Sequence, residues 1–120
     1  LNPGVVKINI DGAFSSYKVP AAIGIVCRDC YGSLQWGFVD KVKSISAFMT
    51  EALALKRALL IVMDLGIDNA IFESDCLLLI SYINAKSSDL CEWRSRSVIY
   101  NIVSLLPDKV GFLLSYLWTR

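Results

Sequence analysis

The stretch SAFMTEALALKRALLIVMDLG, residues 46–66, decides the fold. Phe48, Ala52, Leu55, Leu59 and Val62 recur at spacings of four and three, which puts them on one stripe of a helix running from Ala47 to about Leu65. Ser46 stands where a hydroxyl can cap the first turn, and Gly66 stands where a left-handed residue ends a helix. Downstream lies the short β-prone run Ala70-Ile71-Phe72, and upstream lies a series of strands. A helix between strands reads as a crossover, so the strand after it should run parallel to the first strand of the chain.

That first strand is Val5 to Ile10, in which Lys7 and Asn9 alternate with Val6, Ile8 and Ile10, and Asp11-Gly12 is read as its end. Residues 15–20 read as loop, and Ala21 to Arg28 as a second strand. The turn Asp29-Cys30-Tyr31-Gly32 joins it to a third, Ser33 to Val39, as an antiparallel hairpin. Beyond the crossover, a helix should begin at Ser74-Asp75 and run to about Asn84, with Leu77, Ile80 and Ile83 inward. Trp93 to Leu106 forms a third helical stretch with Val98, Ile102 and Leu105 on one face. Pro107 breaks it, and Val110 to Trp118 reads as the last strand. The order β-β-β-α-β-α-α-β predicts one α/β domain over residues 1–120, built on a mixed five-stranded sheet.

Apolar residues make up 55% of the chain and mean hydropathy is +0.52, enough to fill a core and too much for a disordered segment. Charged residues interrupt every apolar run, so no membrane span is expected. No secretory signal is visible, and an intracellular site, nuclear or cytoplasmic, is expected. Net charge is +1, so bulk attraction to a polyanion is weak and any nucleic-acid contact must rest on local charge. The absence of histidine excludes histidine triads, histidine metal ligands and histidine general bases. Cys27 and Cys30 have C-x-x-C spacing, but no second such pair exists to complete a zinc site, and the motif runs into a turn rather than a helix. The expectation for Cys27, Cys30, Cys76 and Cys91 is free thiols.

The chemistry lies in three carboxylates. Asp11 follows the first strand, Glu51 sits early in the first helix, and Asp75 follows the fourth strand. Singly, each has a commonplace reading as a turn or first-turn residue. Together, in this element order, they can converge, and converged carboxylate oxygens suit a hard cation such as Mg²⁺ or Mn²⁺.

The segments Asn9-Ile10-Asp11-Gly12-Ala13, Gly24 to Gly32, Glu51-Ala52-Leu53-Ala54-Leu55 and Glu73-Ser74-Asp75-Cys76 occur in this order. Their spacing resembles the ribonuclease H type 1 domain, most of all the plant branch found in retroelement-derived reverse-transcriptase-like proteins. The likeness runs from about Val6 to the end of the chain. It implies a ribonuclease H-like fold and metal-dependent cleavage of the RNA strand of an RNA–DNA hybrid. It further implies that Asp11, Glu51 and Asp75 are the catalytic, metal-holding residues. Backbone amides around Gly12 and Ala13, with Trp93 and Arg94, would meet the nucleic acid.

This chain also departs from the family pattern. The family's last helix, with a fourth carboxylate, has no counterpart within these residues, and neither has its histidine. Leu77 stands where many members have Gln, and Ala47 where they have Asn. The resemblance therefore implies a C-terminally truncated domain with impaired activity. Two alternatives follow: a nucleic-acid-binding module without turnover, and a domain kept for folding or protein contacts. Trp36, Trp93 and Trp118 could stack on bases, although core packing is expected for at least two of them.

Overall fold

In the computed structural model, residues 4–85 and 93–106 are described throughout, and 112–114 as backbone. The strands are β1 (Val6–Ala13), β2 (Ala21–Arg28), β3 (Leu34–Val42), β4 (Ala70–Glu73) and β5 (Phe112–Leu114). The helices are α1 (Ala47–Asp64), α2 (Leu77–Ala85) and α3 (Arg96–Leu105), with a 3₁₀ turn over Trp93–Ser95 leading into α3. The strands lie side by side in the order β3-β2-β1-β4-β5. β1, β2 and β3 are antiparallel neighbours, and β4 pairs parallel to β1 with Asn9 opposite Glu73. The crossover through α1 thus delivers the parallel strand that the sequence requires.

The alternation of β1 and β2 turns Ile8, Ile10, Ile23, Ile25 and Cys27 onto one face of the sheet. Ala52, Leu55, Leu59 and Val62 of α1 close over them, joined by Leu79 and Ile83 of α2 and by Ile99 and Ile102 of α3. α1 is framed as its sequence dictates. The Ser46 hydroxyl accepts from Met49 N at 2.9 Å. At the other end, Gly66 takes φ of 68°, its N–H donates to the Met63 carbonyl, and the Ile67 N–H donates to the Val62 carbonyl. This pair of bonds is a Schellman stop.

Several boundaries differ from the sequence reading. β1 does not end at Asp11-Gly12 but continues to Ala13, with Asp11 opposite Gly24 and Gly12 opposite Ile23. β3 extends to Val42 because its partner β2 is long enough to pair that far. α2 begins at Leu77, two residues after Asp75, and Leu77 is 57% exposed rather than inward, while Leu79 takes the buried position. In α3 the fully buried residues are Ile99 and Ile102, with Val98 and Leu105 packed at the margin. Cys27, Cys30 and Cys76 are free. Cys91 and Trp118 lie outside the described residues, and so does most of the expected strand Val110 to Trp118. No helix among the described residues is long and apolar enough to cross a membrane.

Candidate metal centre

Gly12 fixes the geometry of the site. A Cβ built on it would lie 2.8 Å from Thr50 Cγ2 and 3.2 Å from Glu51 N. Only a residue without a side chain lets β1 approach the first turns of α1 this closely. The contact puts Glu51 beside the strand. The Gly12 N–H donates to Glu51 Oε1 at 3.1 Å and to Asp11 Oδ1 at 2.9 Å. The Gly12 amide, read from the sequence as a nucleic-acid contact, is thus directed at the two carboxylates. Behind this turn, the buried Thr50 donates its hydroxyl to the Ser46 carbonyl at 2.8 Å, and Ser44 Oγ lies equally near.

Asp75 follows β4, and Ser74 orders the bend between β4 and α2. Its hydroxyl accepts from Cys76 N at 3.0 Å and reaches Glu51 Oε2 at 3.5 Å. An edge-to-face contact between Phe48 and Tyr82, centroids 5.8 Å apart, ties α1 to α2. Strand β1, helix α1 and the β4–α2 bend are therefore braced against one another.

As a result, Asp11, Glu51 and Asp75 converge. Each offers a carboxylate oxygen, and these atoms lie within 4.8 Å of one another. Glu51 is 8% exposed, while the other two face solvent. Burial above all pushes the Glu51 carboxyl up from about 4.5 to about 7, and the negative charges of Asp75 and Asp11 push the same way. The Gly12 amide and the Ser74 hydroxyl favour the charged form but do not prevail. The Lys7–Glu73 and Arg57–Asp40 ion pairs lie elsewhere. Three hard oxygen donors at this spacing, one held partly protonated chiefly by burial, fit a divalent cation.

Trp93 and Arg94 sit at the entrance to α3. Trp93 is 70% exposed, and the Arg94 guanidinium lies 5.5 Å from its ring centroid. Trp36, in contrast, packs against the core from β3. Ala13 is exposed at the end of β1. The sequence reading missed a cavity of about 430 Å³ beside the first turn of α1, lined by Tyr17, Lys18, Lys43, Ser44 and Met49 among others. Lys18 lies in a segment read only as loop and Lys43, 25 residues on, between the third strand and the first helix, so no local pattern pointed to them.

The reverse transcriptase-like family model matches residues 9–117. The chain belongs to that family. No curated protein matches it. Among solved structures it is similar to RNase H1 from the halophilic archaeon Halobacterium salinarum, with TM-score 0.81 and 22% identity over 92% of this chain and 83% of that one. It is also similar to the compost-derived LC11-RNase H1 in complex with an RNA/DNA hybrid, with TM-score 0.78 and 19% identity over 92% and 83% of the two chains. The RNase H domain of rv2228c from Mycobacterium tuberculosis gives TM-score 0.79 and 15% identity, over 94% and 86%. The fold of this family member is ribonuclease H-like.

Proposed function

We infer that the chain cleaves the RNA strand of RNA–DNA hybrids with Mg²⁺ or Mn²⁺ as cofactor. The observation that carries this reading is the convergence of Asp11, Glu51 and Asp75 within 4.8 Å. A structural relative is seen in complex with an RNA/DNA hybrid, which supports the choice of substrate. The spacing of the acidic motifs favours the retroelement-derived plant branch.

Asp11, Glu51 and Asp75 would hold the cations. Bound there, a divalent pair supplies Lewis acidity that activates water and stabilises the leaving oxygen. The water oxygen would attack phosphorus in line and give up a proton to solvent, while the bond from phosphorus to the 3′ oxygen breaks, that oxygen takes a proton from solvent, and the phosphate stays on the 5′ side. Gly12 and Ser74 hold Glu51 in place by hydrogen bonds, so little reorganisation is needed when the substrate arrives. Trp93 with Arg94 offers a stacking surface, and the charges of Lys18 and Lys43, which line one cavity, suit a sugar-phosphate backbone. Ribose would be distinguished by its 2′-hydroxyl across a wide minor groove.

The test is hydrolysis of a labelled RNA–DNA hybrid with Mg²⁺ or Mn²⁺, against the same duplex in DNA alone. Metal-dependent cleavage of the RNA strand, lost in Asp75→Asn, is the expected result. Exposure of the Trp93–Arg94 pair favours a second reading, a binding module without turnover. Hybrid binding without cleavage in either metal would select it.

A further inference from the structure

Glu73 is the last residue of β4, and only 3% of it is exposed. The rest of its strand is Ala70, Ile71 and Phe72, all buried and apolar. An ionisable group in such a strand costs desolvation that an aliphatic residue would avoid. Two residues of β1 meet it. Asn9 Nδ2 donates to Glu73 Oε1 at 3.0 Å, and the Lys7 ammonium lies 3.5 Å from Oε2. Among the described residues Oε2 has no hydrogen bond, so the lysine charge is what answers it there. Lys7, Asn9 and Glu73 thus form a polar clamp across the parallel pairing of β1 with β4.

The position of the clamp matters. Asn9 and Glu73 are directly paired, and Asp11 and Asp75 each follow by two residues. The clamp therefore sits about 7 Å upstream of Asp11 along β1, at the strand rise of roughly 3.3 Å per residue, and two residues before Asp75 across the Ser74 bend. The offset between Asp11 and Asp75 depends on the register of β1 against β4. β4 is four residues long, and its flanking residues Ala70, Ile71 and Phe72 would tolerate a shift as long as apolar surface stayed covered. A charge that must meet one lysine and one amide does not tolerate a shift.

We propose that Glu73 is a positioning residue which, through Asn9 and Lys7, sets the register of β1 against β4 and so the spacing of Asp11 and Asp75. The consequence for cation binding rests on the reading of the three carboxylates as a metal centre.

The test compares wild type with Glu73→Leu, Glu73→Gln and Asn9→Ala. Three readouts are taken: metal-free melting temperature, amide hydrogen exchange along β1 and β4, and the Mn²⁺ concentration giving half-maximal thermal stabilisation. Lys7 is partly exposed and can turn to water, so Glu73→Leu should melt no lower than wild type. Its β1 and β4 amides should nevertheless exchange faster, and its Mn²⁺ midpoint should rise about tenfold, as for loss of an outer partner of a metal ligand. Asn9→Ala should shift the midpoint the same way. Glu73→Gln keeps the acceptor for Asn9 and should stay within about threefold of wild type. A Glu73→Leu protein with wild-type exchange and midpoint overturns the proposal, and so does one that melts lower with its midpoint unchanged. Should Glu73→Leu not fold, Asn9→Ala with wild-type exchange and midpoint overturns it equally. A wild type indifferent to Mn²⁺ would refute the metal centre instead, and exchange at β1 and β4 would still decide the clamp.

Discussion

At the scale of single residues, Glu51 governs both stability and chemistry. Its carboxyl titrates near 7 in the folded chain against 4.5 for the free side chain. The folded state therefore keeps a proton that the unfolded state has lost, across the window from about 4.5 to 7. Stability of the metal-free protein is full below that window and falls as pH rises through it, by an amount on the order of 3 kcal/mol. Thermal melts in a chelator should show the decline between pH 5 and 8. Glu51→Gln should flatten the profile and raise the melting temperature at pH 8. Gly12→Ala forces a methyl against Thr50 and the α1 backbone. It should cost about 1–3 kcal/mol by denaturant titration and push Glu51 away from the strand. Asp11→Asn and Asp75→Asn face solvent and should fold normally. In the hybrid assay each should lose more than ~100-fold in rate, beyond the 10–100-fold typical of losing an outer partner.

At the scale of elements, what was legible in the sequence was what local chemistry decides. The frame of α1 could be read because Ser46 and Gly66 act on their own backbone neighbourhood. Ser46→Ala should accordingly cost about 1 kcal/mol in equilibrium unfolding. The antiparallel hairpin could be read because Asp29 folds back on Tyr31 and Ser33 and Gly32 takes φ of 83°. Asp11-Gly12 was misread as a stop because glycine is a turn signal by local propensity. Here it serves a packing contact 39 residues away, with Glu51. Leu77 was misplaced because the bend at Ser74 delays the start of α2 by two residues, and that rotates the helix. The three carboxylates themselves were legible through their order along the chain. Their bracing by Ser74 and Thr50 was not, because both are ordinary small polar residues until the elements meet. Trp93, exposed at the start of α3, is the element-level test of nucleic-acid contact. Trp93→Ala should weaken hybrid binding by about 1–3 kcal/mol in a filter or anisotropy titration, with the fold unchanged.

At the scale of the whole molecule, cation binding and folding are linked. The unfolded chain scatters Asp11, Glu51 and Asp75 over 65 residues of sequence, so only the folded chain offers a centre. Millimolar Mn²⁺ or Mg²⁺ should raise the melting temperature, the stabilisation being about 2.7 kcal/mol when the cation is at 100 times its dissociation constant. The rise should be larger at pH 8 than at pH 6, because the cation competes with the proton on Glu51. Differential scanning fluorimetry at the two pH values, in Asp11→Asn as well as in wild type, checks both statements. An unchanged melting temperature in wild type would mean that the centre does not assemble.

The buried Glu51 also sets what the metal-free scaffold gives up. A chain that served only as a scaffold would be more stable at neutral pH with an uncharged residue there. This chain instead keeps a carboxylate that weakens its own metal-free fold, beside two more that repel it. That burden falls on the metal-free chain alone, because a cation shared by the three carboxylates would offset their mutual repulsion.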